Sequence, residues 1–271
     1  MKASSASRPL KPRTCSTMTR IPLGLMLLSH LLTATASGAP RPQAKEKHRI
    51  KSMLVEPSEL QRSLKEPGLR ILDVRQKEAY DKGHIPRAVR VDVARWQELG
   101  RSDSGFRNAK AWGERVSELG VGMDSQVVVY GSSLPDTARI WWTLKYLGLE
   151  NVTVLDGGWD LWVKEERLAE TAASKVAPTQ FSPIFDAERL AEIETLKGSL
   201  FSGKVKVVDA RSKDEFTGKE IRGKRGGHIA SATHLEWKEL LAEDGRFKTP
   251  DLLREVFRER GILPDKTAVC Y

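Results

Sequence analysis

The residues of this chain that could do chemistry occur in duplicate, with one cysteine apart. Asp73-Val74-Arg75 recurs as Asp209-Ala210-Arg211, and Gly83-His84-Ile85 recurs as Gly227-His228-Ile229. An arginine at the end of an apolar strand suits recognition of a small oxyanion, because its planar fork of N–H donors matches two oxygens. The competing reading for Arg211 is an ion pair with Asp209 or Glu215. Histidine suggests acid–base work, but it stands in both copies alike, so His84 and His228 read as residues that fix a loop beside the sheet. Asp73 and Asp209 read as acceptors for nearby backbone, and Trp159 and Trp162 as packing against the sheet. Cys15 and Cys270 are the only cysteines, too few for a thiolate-rich zinc site or a disulfide scaffold.

These residues must be positioned by a repeated α/β unit. Trp96 to Tyr130 aligns with Trp237 to Tyr271 over 35 residues without a gap, with 11 identities. In each copy a short apolar strand (Arg70–Asp73, Val205–Asp209) precedes the Asp-x-Arg motif. Asp73 and His84 are 11 positions apart, whereas Asp209 and His228 are 19 apart, which places an eight-residue insertion within Lys219–Gly226 as a polar surface loop. A helix follows, with Asn108 and Thr249 as aligned N-caps, Pro250 suited to the first turn, and Gly120 and Gly261 as aligned C-terminal glycines. Each helix leads into a continuously apolar strand, Gln126–Tyr130 or Thr267–Tyr271, of the kind covered on both faces of a parallel sheet. The first copy continues through a helix over 136–147, a strand at Val152–Leu155 and an Asp156-Gly157-Gly158-Trp159 turn into a short helix ending near Arg167. The second shows no counterpart of these and reads as truncated. The expected layout is a first domain over 46–167, a linker over 168–182 and a second, incomplete domain over 183–271.

Residues 1–39 read as a secretory signal. A basic stretch ends at Arg20, an apolar run covers Ile21 to Leu32, and both Ala34-Thr35-Ala36 and Ser37-Gly38-Ala39 fit a small-x-small cleavage site. Met18 is an alternative start. An uncleaved anchor is the competing reading, but the run is shorter than the ~20 apolar residues of a span. Export would place the mature protein in the periplasm or outside the cell, with no membrane span. The chain carries net charge +9, with five basic and no acidic residues among the first 40. The remainder holds 40 basic and 36 acidic residues, too mild a surplus to indicate nucleic acid.

The ordered, duplicated motifs resemble the tandem-domain rhodanese sulfurtransferases. They comprise Leu72-Asp73-Val74-Arg75 with Gly83-His84-Ile85-Pro86, Leu155-Asp156-Gly157-Gly158-Trp159, Val208-Asp209-Ala210-Arg211 with Gly227-His228-Ile229, and Gly245-Arg246-Phe247-Lys248-Thr249-Pro250. The resemblance implies two α/β domains, each a parallel sheet flanked by helices, the first inactive and the second carrying a nucleophilic cysteine. That cysteine follows the strand after the capped helix and opens a C-x-x-G-x-[RT] loop. Gly131 stands at that position in the first domain, and in the second the position is the one after Tyr271. Cys270 falls one residue early, aligned with Val129, and reads as a buried strand residue; it is a fallback nucleophile only. By resemblance Arg211 contacts the anionic substrate. The implied partners are a small anionic sulfur donor (thiosulfate or 3-mercaptopyruvate) and a thiol or cyanide acceptor. No metal, organic cofactor or nucleic acid is implied, and a monomer is the default. Two other functions are carried: a catalytically inactive rhodanese-like binding module, and a phosphatase on the same fold with a longer cysteine loop, against which the tandem architecture argues.

Overall fold

The computed structural model describes residues 53–200 and 202–271, so the signal read in 1–39 lies outside the described residues. The first repeat comprises β1 (Leu54–Val55), α1 (Pro57–Ser63), β2 (Leu69–Asp73), α2 (Lys77–Lys82), β3 (Ala88–Arg90), α3 (Val93–Arg101), α4 (Ala109–Ser117), β4 (Gln126–Tyr130), α5 (Leu134–Tyr146), β5 (Val152–Leu155) and α6 (Gly158–Lys164). Its five strands form one parallel sheet in the order β1-β5-β4-β2-β3. The second repeat contributes α7 (Ile193–Ser199), β6 (Val205–Asp209), α8 (Lys213–Thr217), β7 (Thr233–His234), α9 (Pro250–Glu259) and β8 (Thr267–Cys270). Its strands lie parallel in the order β7-β6-β8, repeating the β3-β2-β4 arrangement of the first.

The sheet of the first repeat is apolar on both faces, and strand alternation sorts its residues. Val127 and Val129 join Leu72, Trp112, Ile140 and Leu144 in one buried cluster. Val128 and Tyr130 join Ile71, Leu60, Ile85 and Trp162 in the other. This double coverage explains why β4 is a continuous apolar run rather than an alternating one. The helix before it starts where Asn108 Oδ1 accepts the Ala111 N–H at 3.0 Å. Thr249 occupies the matching position ahead of α9 with Pro250 following, but its side chain makes no capping bond. Both helices run out into a left-handed glycine, Gly120 at φ 67° and Gly261 at φ 66°. Glycine, having no Cβ, adopts that conformation at the least cost.

Register confirms the repeat at single-residue level. Leu72 lies opposite Val129 in the first sheet, and Val208 lies opposite Cys270 in the second. The insertion within 219–226 is irregular and exposed. No described helix is long and apolar enough to cross a membrane.

The segment expected to act as a linker lies along the first repeat. His84 and Glu170 exchange both backbone hydrogen bonds at 2.9 Å. Thr179 donates through its amide to Ser117 O (3.1 Å) and through its hydroxyl to Val121 O (2.6 Å). Phe181 is buried in the core cluster, and the Ile184 and Asp186 amides donate to Leu147 O and Tyr146 O. The small, polar composition of 168–182 shows none of this, because backbone groups of any sequence can make these bonds. Phe181→Ala is therefore expected to destabilise the first repeat by about 3 kcal/mol in urea unfolding, as for a core aromatic. A loss within about 0.5 kcal/mol, typical of an exposed connector, would show that the segment is not part of that core.

Candidate functional site

In open parallel sheets ligands gather at the carboxyl ends of the strands, and there the two repeats hold the same cluster. β2 ends in Asp73, whose Oδ1 accepts the Arg75 backbone N–H at 2.9 Å and so turns the chain out of the sheet. The turn brings the Arg75 guanidinium back onto the carboxylate, Nε to Oδ1 at 3.0 Å and Nη2 to Oδ2 at 2.6 Å, while Nη2 also donates to Gly83 O at 2.7 Å. From β4, the Tyr130 hydroxyl donates to Asp73 Oδ2 at 2.5 Å and accepts the Ile85 N–H at 3.1 Å. Burial, and then the Asp73 carboxylate, drive the Tyr130 hydroxyl far above its ordinary pKa, so it stays a donor.

The second repeat rebuilds this cluster. Asp209 Oδ1 accepts Arg211 N at 3.0 Å and Nε at 3.0 Å, Nη2 donates to Oδ2 at 2.5 Å, and Nη2 also reaches Gly227 O at 2.9 Å. The Tyr271 hydroxyl accepts the Ile229 N–H at 2.9 Å and hydrogen-bonds Asp209. Burial alone would push the Asp209 carboxyl up, but the hydrogen bonds from Arg211 and Tyr271 outweigh it and hold the group below the usual range. Of the two acidic partners expected for Arg211, Asp209 takes it. Glu215 instead closes a capping box with Ser212 and pairs with Arg222. His234, opposite Asp209 in the β6–β7 register, places Nε2 2.9 Å from Arg211 O.

The two clusters differ in what covers them. Trp159, from the Gly-Gly turn after β5, lies 3.8 Å above the Arg75 guanidinium, and the Arg75 side chain is 6% exposed. The Arg211 guanidinium has Tyr271 at 5.2 Å and its side chain is 33% exposed. Gly131 follows Tyr130 in a space that admits no side chain: a Cβ there would sit 2.6 Å from Val74 Cγ2 and 3.0 Å from Thr137 Oγ1. Its carbonyl also accepts the Trp159 amide at 3.0 Å. The first repeat thus has no room for a nucleophile at its strand end.

Cys270 differs from its expected setting. Val129, its counterpart, is buried, whereas Cys270 is exposed, because among the described residues no helix lies over that face of β8. Partial desolvation of the sulfur, and then the Asp209 carboxylate, raise its thiol pKa, the wrong direction for a nucleophile. The two histidines are placed as loop supports. His84 stacks on Tyr80 and His228 on Phe216, each at 3.8 Å, with Nδ1 bonded to the carbonyl of the same partner. Trp159 proved to be more than packing, and Tyr130 and Tyr271 carry a role that sequence reading missed. Their one sequence sign was identity across the repeat at the last strand position.

Comparison with known proteins gives a consistent picture. Residues 56–165 match the family model described as a rhodanese-like domain. The chain is 30% identical over 236 residues to the thiosulfate sulfurtransferase of Corynebacterium glutamicum, covering 80% of this chain and 76% of that relative. It is 29% identical over 219 residues to the 3-mercaptopyruvate sulfurtransferase of Escherichia coli K12, covering 75% and 78%. Among solved structures, the 3-mercaptopyruvate sulfotransferase SseA of Escherichia coli superimposes with TM-score 0.71 at 28% identity, over 81% of this chain and 87% of that one.

Two outcomes follow from the site. Gly131→Ala should cost about 1–3 kcal/mol through overpacking against Val74, read as a lowered thermal midpoint; an unchanged midpoint would mean that the strand end has room. Iodoacetamide should alkylate Cys270 in Cys15→Ser protein with a pH–rate midpoint above the ~8.5 of free cysteine. A midpoint below neutrality would identify Cys270 as an activated thiolate.

Proposed function

Because the chain belongs to the tandem-domain rhodanese family of sulfurtransferases, we propose that its activity is transfer of sulfane sulfur from thiosulfate or 3-mercaptopyruvate to cyanide or a thiol, through a cysteine persulfide formed at the position after Tyr271. The observation that carries this reading is the register. Tyr271 follows β8 as Tyr130 ends β4, and its hydroxyl accepts the Ile229 N–H as that of Tyr130 accepts the Ile85 N–H, so the next position matches Gly131, at the carboxyl end of the strand beside β6, which carries the Asp209-Ala210-Arg211 turn. There a thiolate attacks the outer sulfur of thiosulfate. The S–S bond breaks, sulfite leaves with the electron pair, and the cysteine holds the sulfur as a persulfide. Cyanide then takes the terminal sulfur as thiocyanate and frees the thiolate. In this reading Arg211 orients the donor oxyanion with Nη1, since Asp209 and Gly227 O engage Nε and Nη2. Its partial exposure supports that role, which the capped Arg75 cannot play. No metal or organic cofactor enters the scheme. The reading includes export directed by residues 1–39 and action as a periplasmic or secreted monomer.

A second reading is a catalytically inactive rhodanese-like module. The raised thiol pKa of Cys270 favours it for the chain of 271 residues. Thiocyanate formation from thiosulfate and cyanide separates the two. Residues 1–271 alone should give negligible product, and the source gene should place cysteine followed by x-x-Gly directly after Tyr271. Any other codon there overturns the persulfide proposal. Robust transfer by residues 1–271 that Cys270→Ser abolishes would move the nucleophile to Cys270.

A further inference from the structure

The stretch shared by the two repeats is not equipped alike in both. Trp96 and Phe106 recur as Trp237 and Phe247, but Gly100 and Arg101 stand where the second copy has Leu241 and Ala242, and Gln97 stands where it has Lys238. In the first copy these residues line a cavity of about 110 Å³, with Trp96, Gln97, Gly100 and Arg101 on α3 facing Arg139 and Trp142 on α5. Spacings of three and four residues put each set on a single face of its helix.

The walls are aromatic and braced. Phe106 stacks on Trp112 at 5.6 Å and meets Trp142 edge-on at 5.3 Å, and Trp96 meets Trp112 edge-on at 5.4 Å. Gly100 keeps the space open, since a Cβ there would lie 3.0 Å from Phe106 Cζ and any larger residue must displace the ring. The polar groups at the cavity are unengaged. Arg101 and Arg139 are exposed, and among the described residues neither guanidinium has a partner; nor have the Gln97 amide and the Trp96 and Trp142 indole N–H groups. Elsewhere in the repeat such N–H groups are matched: Trp112, Trp141 and Trp162 donate to the carbonyls of Gly105, Val152 and Leu168. Trp96 is only 3% exposed, and a donor so placed without an acceptor carries a desolvation cost that a ligand oxygen would remove.

We propose that this cavity binds a small planar aromatic carboxylate. Its ring packs against Trp96, Phe106 and Trp142 in the offset and edge-on arrangements that aromatic pairs prefer. Its carboxylate meets Arg101 and Arg139, whose exposure marks the solvent side and whose planar forks match two oxygens. The volume limits the occupant to one ring, since a cavity of ~150 Å³ is enough to hold benzene. None of the residues of the Asp-x-Arg clusters lines the cavity, so the site is independent of sulfur transfer and is tested without it.

Calorimetric titration of the full chain with three probes separates the contributions. Benzoate carries ring and charge, benzamide keeps the ring without the charge, and acetate keeps the charge without the ring. Benzoate should bind saturably and at least tenfold more tightly than either of the others. Equal affinity for benzamide would reduce the site to an apolar hole, equal affinity for acetate would reduce it to surface attraction for anions, and no saturable benzoate binding would remove it; each overturns the proposal. Arg101→Gln and Arg139→Gln, both at exposed positions, should each weaken benzoate at least fivefold while leaving the thermal midpoint unchanged. Full benzoate affinity in the double variant also overturns it. The three-probe comparison on the unmodified protein decides the matter independently of how the variants fold.

Discussion

A carboxylate removed from water must be met by hydrogen-bond donors, and the chain meets that requirement twice, at Asp73 and Asp209. Each is fully buried at the end of a central strand. Each draws its donors from two places, the arginine two residues on and a tyrosine at the end of the neighbouring strand. Those two donors in turn tie down the Gly-His-Ile loop, whose glycine carbonyl accepts from the arginine and whose isoleucine N–H donates to the tyrosine hydroxyl. Satisfying the charge therefore fixes where all three segments lie. The strands could slide past one another as apolar ribbons, but the carboxylate admits one register only. The repeated spacing Asp-x-Arg and the tyrosine closing the next strand are the sequence form of this single electrostatic constraint.

From one cluster the repeats diverge by coverage rather than by contact. Trp159 and the packed Gly131 dry the first, leaving the Arg75 side chain 6% exposed beneath the indole ring. Arg211 has the same hydrogen bonds but meets solvent. An ion pair that water can reach is screened and can share its guanidinium with an arriving anion, whereas a dry one cannot. Identical bonding thus supports a purely structural arginine in one half and, in the proposed reading, a ligand-binding one in the other.

Much of this was legible in the residues. The strands Gln126–Tyr130 and Val152–Leu155 fall where their apolar runs place them, and Gly120 and Gly261 end their helices at nearly the same angle. Such features are local: propensity, capping and backbone chirality act within a few positions. What escaped was set by distant partners. Alternation along β8 separates Cys270 from Tyr271, but it cannot say whether anything lies over the cysteine's face. A tyrosine ending an apolar run looks like any core aromatic until the carboxylate opposite it is known. Arg246 looks like one more surface cation, and only the fold brings Glu56 and Glu165, 190 and 81 positions away, to its side.

The stretch from Glu170 to Asp186, bound along the first repeat, shortens the free tether between the two halves to a few residues. Tether length sets the effective concentration at which one half meets the other, and a short one holds it high while leaving little entropy to lose on docking. Exposed ion pairs such as those of Arg246 are individually worth only about 0–1 kcal/mol, far too little to join two free partners. Between halves already leashed this closely, contacts so weak individually are enough to decide their orientation.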